Sequence, residues 1–174
     1  MTLLEWTDAL SLDLPLMDDT HREFVELLSQ LEYAGDDTLQ ATWQALIDHT
    51  VDHFGQEDRW MAATRFASGN CHAVQHKVVL ETLQEAGRLV ATNTENLPLL
   101  RRLTRELAIW FPQHAQSMDA ALALHLRRVG FDPMTGMVNA PEALPAKMIE
   151  GCGGGSCSPA EAENAAQEAQ ANAA

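Results

Sequence analysis

Seven side chains of types that hold metals recur at helical intervals along this chain. His53 and Glu57 stand four residues apart, as do His72 and His76; His114 precedes Asp119 by five, and His21 stands alone nearer the N-terminus. Imidazole and carboxylate are common donors to first-row transition metals. On a helix, residues four apart project from one face, separated by about 6 Å along the axis, which suits two ligands of one metal or of two adjacent metals. The five-residue interval is less simple, because on a straight helix it turns Asp119 about 140° away from His114. An aspartate reaching between two metals, or a local change in winding, would accommodate it.

The elements that must position these residues are legible as four stretches with apolar residues at helical spacing, separated by Gly, Asn, Asp and Pro breaks. The first runs from about Asp18 to Tyr33, with Phe24, Leu27, Leu28 and Leu31 on one face. The second follows the cap signal Asp36-Asp37-Thr38 and carries Leu39, Trp43, Leu46, Ile47, Phe54 and Met61 to about Ala63. After Ser68-Gly69-Asn70, the third runs from Cys71 to about Val90. The fourth starts near Asn96-Leu97-Pro98, a cap followed by an early-helix proline, and continues to about Arg128. Short connections predict antiparallel neighbours, hence an all-α, up-down-up-down four-helix bundle over residues 1–130. Before it lies an extended N-terminal arm whose Trp6 and leucines are expected to cross a bundle end. Residues 131–174, with four prolines, a CGGGSC segment and no repeating apolar face, are expected to form a disordered C-terminal tail.

Composition narrows the function. A chain of 174 residues that is 46% hydrophobic has material for one sizeable core. Its formal charge of −14, with no basic patch, opposes phosphate backbones and anionic headgroups, so no nucleic-acid or membrane role is expected. There is no apolar run of about 18 residues, and the N-terminus carries acids instead of the basic start of a signal peptide; a cytoplasmic location is expected. The odd set Cys71, Cys152 and Cys157 does not suggest a secreted disulfide framework. Cys71 reads as a buried or half-buried thiol, and the Cys152/Cys157 pair as a flexible thiol pair whose tail offers a hook for a protein partner.

The histidines sit among core positions: Phe24, Leu28 and Leu31 follow His21 at helical intervals, and Met61 extends the line of His53 and Glu57. Burying five imidazoles and two carboxylates without partners would cost roughly 2 kcal/mol or more for each polar group. A cation supplies the missing partner, and an octahedral pair of metals uses all seven ligands; imidazole-rich sites suit iron.

The run Met17-Asp18-Asp19-Thr20-His21-Arg22-Glu23-Phe24, then His53-Phe54-Gly55-Gln56-Glu57, His72-Ala73-Val74-Gln75-His76, and Trp110 followed by His114 and Asp119, resembles the ligand pattern of the bacterial hemerythrins over about residues 4 to 128. That resemblance implies two non-haem irons. His72, His76 and His114 would hold one, and His21 and His53 the other, with Glu57, Asp119 and an oxo or hydroxo group as bridges. It also implies an open position on the second iron, where dioxygen binds reversibly, and so a carrier, store or delivery protein instead of an enzyme. A di-iron oxidase or peroxidase, or a nitric-oxide- or iron-responsive sensor, is the alternative. A dry pocket is expected among Phe24, Trp110 and Phe111. The family often has Trp-Leu before the histidine of the fourth helix, whereas this chain has Trp110-Phe111-Pro112: Phe111 adds bulk there, and Pro112 should kink the helix.

The remaining conspicuous residues read more plainly. His49 and His125 are assigned to solvent or to supporting roles around the ligands, Trp43 and Trp60 to packing, and Asp18 to a cap on the first helix.

Overall fold

The computed structural model describes residues 2–66 and 71–148. Four helical stretches pack side by side: α1 (Pro15–Tyr33), α2 (Asp36–Ala63), α3 (Cys71–Thr92) and α4 (Leu97–His114), the last continued by a π-helical turn (Ala115–Asp119) and α5 (Ala120–Arg128). The all-α bundle read from the periodicity is the observed fold. Its first helix starts three residues earlier than the sequence reading because Pro15, which lacks an N–H to leave unpaired, takes the first helical position. In α4, Pro98 holds an equivalent early position.

Two separate apolar layers stabilise the bundle. One gathers Leu28, Leu31, Leu39, Trp43, Leu83, Val90 and Leu100; the other gathers Met17, Trp60, Met61, Phe66, Leu122, Leu126 and Val129. Trp43 and Trp60 pack in these layers as expected, Trp43 donating from Nε1 to the Leu83 carbonyl at 3.0 Å. His125, expected at the surface or around the ligands, instead lies in the second layer. Its Nε2 sits 3.0 Å from the Thr64 carbonyl and its ring 4.9 Å from Phe66, tying α5 to the end of α2. Cys71, expected as a thiol, is half-buried and disulfide-bonded.

The arm does not cross a bundle end. It runs alongside α1 in the opposite direction, from Leu3, whose N–H donates to Glu32, to Leu12, whose N–H donates to Asp18. Asp18 therefore does not cap α1; it lies inside the helix and accepts from Ser11 Oγ at 2.7 Å and from Leu12 N at 2.8 Å, docking the arm. Asp18→Ala is expected to lower stability by about 2 kcal/mol, because two hydrogen bonds to a buried carboxylate are lost, measurable by chemical denaturation.

Structure also extends beyond residue 130, where the sequence reading begins a disordered tail. Gly130 turns the chain at φ +59°, a conformation open to glycine, and a hairpin follows in which Phe131–Asp132 pairs antiparallel with Met137–Val138. Phe131 is buried against Trp60, and the Arg65 guanidinium donates to the Pro145 carbonyl. Strands two residues long leave no periodicity to read. Residues 149–174, with Cys152 and Cys157, lie outside the described residues, as does the Ser68-Gly69-Asn70 break.

Candidate metal centre

Because the helices alternate in direction, the start of α1, the end of α2, the start of α3 and the end of α4 meet at one level of the bundle. His21, His53, Glu57, His72, His76, His114 and Asp119 all lie there, between the two apolar layers, and each is no more than 3% exposed. The structure brings together all seven residues read from the sequence as candidate ligands.

Their arrangement is divided by the carboxylates. Glu57 Oε1 lies 3.1 Å from His53 Nε2 and 3.8 Å from His21 Nε2, while its Oε2 lies 3.2 Å from His72 Nε2 and 3.4 Å from His76 Nε2. Asp119 does the same: Oδ2 is 3.2 Å from His21 Nε2, and Oδ1 is 2.9 Å from His72 Nε2 and 3.1 Å from His114 Nε2. Each carboxylate thus offers one oxygen to a three-histidine group and the other to a two-histidine group. Glu57, His72, His76, His114 and Asp119 have donor atoms close enough to share a metal ion, as do His21, His53 and Glu57.

The π turn is what lets Asp119 take part. A five-residue interval overshoots one α-helical turn, but the wider winding of Ala115–Asp119, closed by Ala120 N–H to the Ala115 carbonyl, returns Asp119 to the face of His114. Ser117 Oγ donates to the Gln113 carbonyl at 2.6 Å, satisfying an acceptor within the altered winding. Two residues before His114, Pro112 lies inside α4 and has no N–H for the helical ladder.

The supporting residues were not identified from the sequence. His76 Nδ1 lies 3.3 Å from Asp58 Oδ1, and Gln75 Oε1 accepts both from Trp110 Nε1 and, at 3.2 Å, from the His114 Nδ1 side. Such outer partners fix the tautomer and direction of a ligating ring. Phe54 stacks on His76 at 3.9 Å and Trp110 on His114 at 4.5 Å. Trp110 consequently belongs to the three-histidine side. Phe24 and Phe111, with ring centroids 4.7 Å apart, flank the two-histidine side, Phe111 meeting His21 edge-on at 5.2 Å. The signal for Asp58 and Gln75 was present in their adjacency to Glu57 and His76, but sequence adjacency alone does not say which way a side chain turns.

Protonation follows from this crowding. Burial is the largest influence on His21 and His72 and disfavours their charged forms, yet Asp119 and Glu57 override it and raise both to about 9. Burial also opposes ionisation of Glu57 and Asp119, but the surrounding imidazoles hold both carboxyls well below the usual range. Burial pushes His114 down, and burial with the neighbouring His53 lowers His49 to about 4. Groups raised when folded stabilise the protein below their unfolded value, about 6.5, and lose that contribution as pH rises through about 9; lowered histidines lose theirs as pH falls below about 6.5. Metal-free protein is therefore expected to be most stable near pH 6.5, with stability falling up to pH 9. Since a metal binds neutral imidazole, loading should flatten the alkaline fall, and thermal melts across this range with and without metal test it.

Among the described residues several buried nitrogen and oxygen atoms have no hydrogen-bond partner: His21 Nδ1 and Nε2, His72 Nδ1 and Nε2, Glu57 Oε2 and both Asp119 oxygens. Buried polar groups are normally satisfied. The Nε2 atoms of His21 and His72 face the unpaired oxygens of Glu57 and Asp119, an arrangement that fits a metal pair, and the cluster fits a di-iron site.

Comparison with known proteins agrees with the geometry. The family described as the hemerythrin HHE cation binding domain matches residues 12–125. The chain is 34% identical over 132 residues to a bacteriohemerythrin of Ralstonia nicotianae, covering 76% of this chain and 95% of that protein. It is 27% identical over 127 residues to a bacteriohemerythrin of Stenotrophomonas maltophilia, covering 71% and 81%. No solved structure matches the chain. No helix among the described residues is long and apolar enough to cross a membrane. With its matched residues spanning the whole of the buried cluster, the chain belongs to the hemerythrin family.

Proposed function

We propose that this chain is a non-haem di-iron protein that binds dioxygen reversibly and serves as a carrier, store or delivery protein. His72, His76 and His114 would hold one iron and His21 and His53 the other, with Glu57 and Asp119 able to serve both. The observation that carries the reading is the division of each carboxylate between a three-histidine and a two-histidine group, which leaves the two-histidine side one donor short. A bound ferrous pair there would supply two electrons and an open coordination position for dioxygen.

The protein's own contribution is to hold seven donors and keep water away. Phe24 and Phe111 are each 1% exposed and close the two-histidine side with apolar surface. A surface groove of about 870 Å³ between α2 and α3 is lined by none of the seven residues.

Anaerobic loading with ferrous iron followed by oxygen tests the reading. A visible charge-transfer band that appears with oxygen and fades on degassing supports reversible binding; rapid irreversible bleaching with release of peroxide points to a di-iron oxidase. Phe111→Leu opens space beside His21, and is expected to make the oxygenated colour decay several-fold faster. An unchanged decay rate would show that Phe111 does not guard the pocket.

A further inference from the structure

The imidazoles of the cluster are not all supported in the same way. His76 and His114 turn Nε2 inward and rest Nδ1 on Asp58 and Gln75. His53 also turns Nε2 inward, 3.1 Å from Glu57 Oε1, but its Nδ1 is buried with no hydrogen-bond partner among the described residues. One turn earlier on α2 stands a second histidine with an orphan: His49 Nε2 is likewise buried and unpaired. The two rings are 5.8 Å apart between centroids. Phe24 lies against both rings. The other edge of His49 faces α1, with Nδ1 3.6 Å from Glu23 Oε2.

We propose that His49 is the positioning residue for His53, its Nε2 accepting through one bridging water the proton that His53 carries on Nδ1. The proposal rests on the reading in which His53 is an iron ligand. With Nε2 directed to the metal, neutral His53 must carry its proton on Nδ1 and is a donor there. With Nδ1 facing the Glu23 carboxylate, the neutral ring is best placed to carry its proton there, which leaves Nε2 as an acceptor. A donor and an acceptor, each buried and each lacking a partner, therefore stand one turn apart. No direct hydrogen bond joins the two nitrogens, and one water held between the neighbouring rings would satisfy both. His49 thus does for the two-histidine side what Asp58 and Gln75 do for the three-histidine side. The chain from the Glu23 carboxylate at the surface through His49 fixes the direction of the ring beside the open position. This role accounts for a half-buried histidine that the ligand pattern itself does not require.

Anaerobic titration of full-length metal-free protein with ferrous iron tests this, comparing the native chain with His49→Phe, which keeps the ring but not its nitrogens, and His49→Gln, which keeps a polar end. His49→Phe is expected to weaken one of the two iron equivalents about 10–100-fold and leave the other unchanged. His49→Gln should stay near the native affinity. Metal-free His49→Phe should melt no lower than native protein, since a buried orphan is removed; if it does not fold, His49→Leu serves the same comparison. Two equivalents bound by His49→Phe as tightly as by the native chain, or equal weakening in the Phe and Gln variants, would overturn the assignment. A native chain that takes up no second iron would instead overturn the ligand reading on which it stands.

Discussion

Glu57→Ala is expected to reduce bound iron from two per chain to less than one, the largest effect of any single substitution at the centre. Glu57 is the residue whose two oxygens reach four imidazoles, and it belongs to both groups of potential ligands. Its removal takes away a donor from each side and a negative charge that offsets the cations. Glu57→Gln keeps the volume and removes the charge, so it should retain more iron than Ala and less than the native protein. Iron analysis after desalting decides the matter. A Glu57→Ala protein that still holds two irons would show that the carboxylate does not bridge them.

A second large effect is expected far from the centre. Trp43→Ala should destabilise the metal-free protein by about 3–5 kcal/mol, the usual cost of deleting a large buried aromatic. Trp43 is 1% exposed and joins α2 to α3 through its bond to the Leu83 carbonyl. Gly87 permits that approach: a Cβ there would stand 3.3 Å from Ile47 and 3.5 Å from Trp43. For a chain of this size the melting temperature should fall by roughly 10–15 °C. Trp43 lies about 15 Å along α2 from His53, so iron content at saturation should not change. Iron that binds only the folded state should recover part of the lost stability by mass action. A variant that melts like the native protein would show that this apolar layer does not sustain the fold.

The contrast between these two residues shows what the sequence discloses and what it hides. The core positions recur at helical intervals, as do the pairs His53/Glu57 and His72/His76, and for these spacing predicts a shared face. Asp119 exceeded that rule by one residue, and spacing could only state the conflict; the π turn that resolves it depends on hydrogen bonds displaced by one position in the helix. His125 and Asp18 show a different limit. Each is a polar residue at a position read as surface, ligand surround or cap, and each is instead buried by a partner distant in sequence: Thr64 for His125, Ser11 and Leu12 for Asp18. Trp110 was assigned with Phe24 and Phe111 because they share the apolar surroundings of the site, but its orientation on α4 places it on His114 and Gln75. The hairpin after Gly130 escaped notice because its strands are too short for any pattern to register.

Where iron resides in the loaded protein decides whether these seven residues form a metal centre. Anomalous diffraction from crystals of the iron-loaded chain, recorded on either side of the iron edge, measures this directly. Two iron peaks are predicted within the bundle, one bounded by His72, His76 and His114, the other by His21 and His53, with Glu57 and Asp119 touching both. A lone peak, or iron found only on the outer faces of the helices, would contradict it.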